Sequence, residues 1–214
     1  MSIRTSIYDF FAYTIPGGLF LLSILGGLEL FGLADLWTKI YMSNLVGILI
    51  IILCSYVVGH VTSIFNSKWV KLFESRSIPN LAFTEFKVLH PTIQTDINPN
   101  DWQIWFASIR RESMELTLEV DKMMATSYLL RGVSMFLALT CFILLLGVVT
   151  GKLVWWFLGL AVIVAILSVI AAKGSIKFNK WFYFMIFELI ISRNKPYVFA
   201  KQESKNENIS DESM

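Results

Sequence analysis

Residues 44–65 read NLVGILIIILCSYVVGHVTSIF. The run contains no Asp, Glu, Lys or Arg, and it is as long as the roughly 20 residues a helix needs to cross about 30 Å of hydrocarbon. Three further apolar runs of similar length flank it, at 14–34, 128–147 and 153–172. Over the whole chain 56% of residues are hydrophobic and 16% charged, and the mean hydropathy is +0.63, far outside the range of a soluble domain. The fold expected is therefore an all-α integral membrane protein: four transmembrane helices arranged as two hairpins, a cytoplasmic helical insert between them, and a C-terminal interfacial helix.

The expected layout is a first transmembrane hairpin at 1–65, a cytoplasmic amphipathic helical insert at 66–127, a second hairpin at 128–172, an interfacial helix at 173–200 and a disordered polar tail at 201–214. Orientation follows from the basic residues, which stay on the cytoplasmic side near membrane ends. Of the 18 Lys and Arg, the two hairpin loops (35–43 and 148–152) hold only Lys39 and Lys152. Both termini and the insert are thus expected in the cytoplasm of a bacterial cell, with the spans in its inner membrane. No cleavage signal follows the first apolar run, so that span is expected to be retained.

Within the first span, Tyr8, Phe10, Phe11 and Tyr13 read as an interfacial aromatic belt, with Pro16 in the first helical turn. Gly17, Gly18, Gly26, Gly27 and Gly32, with Ser23, give a thin surface suited to close helix packing, either within the bundle or against another subunit. Glu29 is the one acid in this span, and an intramembrane carboxylate normally faces protein or water. It reads either as a polar contact snorkelling toward the outer interface or as a functional group. In the second span, Tyr56, His60 and Ser63 recur at helical spacing as one polar stripe. His60 reads as a hydrogen-bonded packing residue or as a pH-responsive group. His90 is the only other histidine, so no metal ligand set of the usual kind assembles. Cys54 and Cys141 read as small apolar filler. In the fourth span, Ala161 with Ala165 and Ser168 with Ala172 form small-residue pairs.

The helix after the second span is expected to stop before Ile78, with a loop through His90 and Pro91. Asn98 as a cap, Pro99 at the first helical position and Asp101 in the first turn then mark a new helix. From there Trp102, Trp105, Ile109, Leu116, Val120 and Met123 make an apolar stripe, interrupted by Ser113 yet expected to continue into the third span as one helix. A 60-residue insert has little core of its own. The stripe is expected to pack on the helix after the second span, to dock another protein or another subunit, or both.

Chemistry is sparse: the chain has no HExxH, no GxSxG, no phosphate loop and no CxxC. An enzyme is not expected, nor is a cofactor, and the net charge of +2 gives no support for direct nucleic-acid binding.

The segments Tyr8-Asp9-Phe10-Phe11 with Ile15-Pro16-Gly17-Gly18, Gly59-His60 near the end of the second span, and Leu129-Leu130-Arg131 at the start of the third resemble a loose group of small bacterial membrane proteins found in anti-phage defence loci. Size and four-span plan most resemble the membrane subunit of the Kiwa defence system. The resemblance implies a membrane sensor of phage attack that forms a homo-oligomer, expected to be a tetramer, and engages a soluble DNA-binding effector at the cytoplasmic face. Under it, Glu29, Ser23, Gly27 and His60 are the candidate sensing and assembly residues. Trp102, Trp105, Ile109, Arg110, Arg111 and Glu115 are the candidates for partner docking. The alternative is an oligomeric channel or membrane-perturbing effector that acts without a soluble partner.

Overall fold

The computed structural model of the chain describes residues 3–33, 45–74, 77–91 and 98–211. Among these the protein is all-α: α1 (Ile3–Leu30), α2 (Leu45–Lys71), α3 (Ile78–Leu89), a 3-10 turn (Pro99–Asp101), α4 (Trp102–Glu112), α5 (Met114–Val149) and α6 (Phe157–Asp211). Four stretches are long and apolar enough to cross a membrane: Phe10–Leu30, Gly47–Lys71, Met114–Val149 and Phe157–Ser192. The chain is a multi-pass membrane protein. The loop expected at 35–43 lies outside the described residues.

The last two stretches have 36 residues each, about 54 Å at 1.5 Å per residue, against about 30 Å of hydrocarbon. Both must therefore run beyond the bilayer. Their uncharged portions, 132–149 and 157–172, end at Arg131 and Lys173. The chain divides into two compact units, Met1–Ser75 with Asp121–Asn179 and Arg76–Val120 with Lys180–Met214.

In the first unit, α1 and α2 touch backbone to backbone. A methyl group on Gly17 would overlap the Ser55 carbonyl oxygen, and one on Gly59 would overlap the Tyr13 carbonyl oxygen. Positions 17 and 13 thus face 55 and 59, an antiparallel register. In lipid, where apolar burial drives little association, such close approach is the main source of helix attraction. Against α5 the register is parallel: Pro16 lies against Gly132, Ser23 hydroxyl bonds Thr140 hydroxyl at 2.8 Å, and Gly27 meets Ile143. Parallel packing is what two spans crossing in the same direction require.

The α5–α6 pair is antiparallel and closed by serines spaced seven apart. Ser134 and Ser168 each donate to the other's backbone carbonyl at 2.8 Å, and Ser127 donates to the Ser175 carbonyl at 3.0 Å. Trp69 Nε1 of α2 donates to Ser134 Oγ at 3.0 Å, so α5 contacts all three other spans. On α6 the buried small residues are Ala161, Ser168, Ala172 and Ser175. The packed spacing is therefore mainly the heptad 161, 168, 175, and Ala165 is only half-buried.

The helix ends differ from the expected ones. Helix α1 begins at Ile3, so Pro16 is interior rather than in the first turn. An interior proline removes one helical hydrogen bond, and here its ring fills the space left by the absent side chain of Gly132. The helix closes before Ala34: Gly32 N–H donates to the Glu29 carbonyl and Leu33 N–H to the Leu28 carbonyl, with Gly32 at φ +70°. This Schellman motif needs a left-handed residue, which glycine adopts without strain.

The second unit corrects the reading of the insert. Residues 78–89 form a helix, α3, where a loop was expected. Pro79 stands in its first turn, and Ile78, Ala82, Phe83 and Phe86 are buried. Ser113, in an extended conformation, divides α4 from α5, so the stripe is two helices rather than one. The aromatic segment after the fourth span is no separate interfacial helix: it continues α6, and its Phe182, Ile186, Phe187 and Ile190 are buried in protein. The backbone helix runs on to Asp211, through most of the segment where the sequence predicts disorder; its Lys, Gln and Glu residues are good helix formers.

Ala82, Phe83 and Phe86 of α3 form one cluster with Phe187 and Ile191 of α6, flanked by Tyr183 and Phe184. Trp102 of α4 meets the rings of Phe182 and Tyr183 edge-on at 5.5 and 5.3 Å, and Phe106 lies 5.8 Å from Phe182. Glu85 pairs with Lys180 at 2.7 Å, with side chains 47% and 23% exposed. An ion pair that exposed contributes at most about 1 kcal/mol, whereas each fully buried Phe contributes about 1.5–3 kcal/mol. The aromatic core holds the unit together.

Candidate functional site

Two places carry side chains that the packing leaves over, one in each unit. In the first, a cavity of about 220 Å³ is lined by Tyr13 of α1, Ser63, Asn66 and Ser67 of α2, and Tyr128 and Arg131 of α5. Gly59 and Ala12 complete its wall. Arg131 Nε donates to Ser175 Oγ at 3.1 Å, and its guanidinium lies 5.5 Å from the centre of the Tyr128 ring. No carboxylate pairs with Arg131 among the described side chains. Asn66 is only 6% exposed, and its amide makes no hydrogen bond among them.

The sequence stripe at 56, 60 and 63 divides at this cavity. Tyr56 and His60 join Phe10 and Tyr13 in an aromatic cluster: the His60 ring lies 4.6 Å from Tyr13 and 6.0 Å from Tyr56, and Tyr56 stacks on Phe10 at 5.5 Å. His60 stays exposed. Ser63 instead faces the cavity, its hydroxyl donating to the His60 carbonyl at 2.6 Å. Ser67 continues the same spacing; of the stripe only Ser63 reaches the cavity, and Asn66 and Arg131 lie outside that pattern.

Of the membrane candidates, Ser23 and Gly27 pack against α5, Ser23 half-buried and Gly27 buried. Glu29 occupies the last turn of α1 and is exposed. Tyr8, Phe11, Ile15 and Leu22, all exposed, share its helix face at three-, four- and seven-residue intervals. Among the described residues nothing pairs with its carboxylate.

In the second unit, α4 turns the expected docking stripe inward. Ile109 is buried, Trp102 packs on Phe182 and Tyr183, and Trp105 Nε1 is enclosed without a hydrogen-bond partner. The opposite face holds Gln103, Ile104, Ala107, Arg110 and Arg111, all exposed, with Ile104 at 68%. Glu115, in the first turn of α5, is exposed too. Trp102, Trp105 and Ile109 are thus taken up by the packing of the unit, and Ile104, Arg110 and Arg111 are what α4 leaves exposed.

Comparison with protein-family models, with curated proteins and with solved structures finds no match.

Proposed function

We propose that the chain is the membrane sensor and scaffold subunit of a bacterial antiviral defence complex. It oligomerises in the inner membrane, its termini and second unit face the cytoplasm, and it docks a soluble DNA-binding effector. The observation that carries the docking step is the exposed Ile104–Arg110–Arg111 face of a helix whose other side is locked into an aromatic core. Arginine beside an exposed aliphatic residue on a rigid element is the composition of a binding hot spot. The scarcity of basic residues in the hairpin loops supports the orientation, and the defence role rests on the resemblance of the sequence and four-span plan to the Kiwa membrane subunit. Glu29 and His60, the two membrane candidates left exposed, are assigned to contacts between copies.

The test is the double variant Arg110→Glu, Arg111→Glu in the native operon. Losing two hot-spot residues at about 2 kcal/mol each weakens binding by more than a hundredfold. Co-purification of the effector in mild detergent and protection against phage are both expected to disappear, with membrane insertion unchanged. Full protection by the variant contradicts the docking reading. Ion flux through liposomes from the chain alone supports the channel reading in its place.

A further inference from the structure

We infer that the cavity between α1, α2 and α5 binds the phosphate group of an anionic phospholipid. The inference rests on the membrane-spanning helices and is independent of the docking proposal. Arg131 is held by Ser175 through Nε alone, so the two terminal nitrogens, with the fork geometry that matches phosphate oxygens, have no protein anion to meet among the described side chains. Asn66, nine-tenths buried in the same wall, adds an amide with no partner of its own.

The position specifies a lipid rather than a soluble phosphate. Arg131 marks the end of the uncharged part of α5, at headgroup depth for a helix whose residues 132–149 occupy the hydrocarbon. Ile64 lines the cavity and is 62% exposed, so the cavity reaches the surface of the bundle there. One turn and two turns along the same face of α2 are Val61 and Val57, each 58% exposed. A phosphate at Arg131 thus leaves its acyl chains against an apolar helix face. Ser63 and Ser67 spend their hydroxyl protons on backbone carbonyls and present only lone pairs, which suit the donor hydroxyls of a glycerol headgroup. Phosphatidylglycerol combines that headgroup with a single negative charge.

The experiment is native mass spectrometry of the full chain, purified in mild detergent and supplied with phosphatidylglycerol, phosphatidylcholine or inorganic phosphate. Wild type is expected to retain one phosphatidylglycerol per chain, with roughly tenfold preference over phosphatidylcholine: both lipids offer the same phosphate, but only phosphatidylcholine sets a quaternary ammonium beside Arg131, and like charges at that range repel by about that factor. Arg131→Gln is expected to abolish the preference and Arg131→Lys to keep part of it. Thermal unfolding of the wild type gives a second readout if Arg131→Gln does not fold, and phosphatidylglycerol should raise the midpoint more than phosphatidylcholine. Equal retention of the two lipids, or equal stabilisation by inorganic phosphate alone, overturns the assignment.

Discussion

Phe187→Ala is expected to open the second unit while leaving the spans inserted. Phe187 is fully buried between Phe83 and Phe86, at ring distances of 5.3 and 6.2 Å. Truncating a buried Phe costs about 3–5 kcal/mol. The neighbouring rings are themselves held, Phe83 and Phe86 by each other and Phe86 also by Phe184 and His90. At 3 kcal/mol the open population rises by roughly a hundredfold, and proteolysis of α3 and α4 in detergent should accelerate in proportion when opening is fast. Lys180→Ala removes only the ion pair to Glu85 and should accelerate cleavage less than about tenfold. Equal rates for the two variants would show that the aromatic cluster is not what closes the unit.

The second large effect belongs to Gly59. Because any side chain there meets the Tyr13 backbone and not a movable side chain, the helices must separate or the residue must be small. Gly59→Ala is expected to cost about 2–3 kcal/mol by overpacking, roughly 5–10 °C in unfolding midpoint for a chain of this size. Gly59→Leu should yield no folded protein. Gly26 and Gly159 have nothing within 4 Å of a would-be methyl, so alanine at either should be neutral or stabilising by up to about 1 kcal/mol. Midpoints measured in one detergent decide the matter. If Gly26→Ala and Gly59→Ala fall together, glycine matters for the solvent exposure of the helix and not for contact.

The spans were legible because hydropathy over 20 residues is a one-dimensional signal that the bilayer imposes on any helix. Small residues on α1 and α6 were legible as packing surfaces for the same reason. Their partners were not: whether Ser23 faces Thr140 of the same chain or another subunit depends on a register between distant segments, and neither sequence alone encodes it. Ser134 shows the limit most clearly, since a lone serine in an apolar helix acquires meaning only when Ser168 stands opposite.

In the second unit the apolar stripe of α4 was read correctly as something that must be covered. What covers it was missed, because Phe182, Ile186 and Phe187 looked like the lipid-facing side of an interfacial helix. Recognising α3 would have changed that reading. Its Ile78, Ala82, Phe83 and Phe86 recur at helical spacing with Pro79 in the first turn, and together they supply the missing half of the core.

The measurement that tests the account most directly places a photo-reactive amino acid at position 104 or 109 and irradiates cells carrying the native operon. The account predicts a cross-link from 104 to a soluble protein other than this chain. It predicts none from 109, whose side chain is 3% exposed in the native packing. Absence of any adduct at 104, or adducts there only with a second copy of this chain, would contradict the claim that this helix face receives a soluble partner.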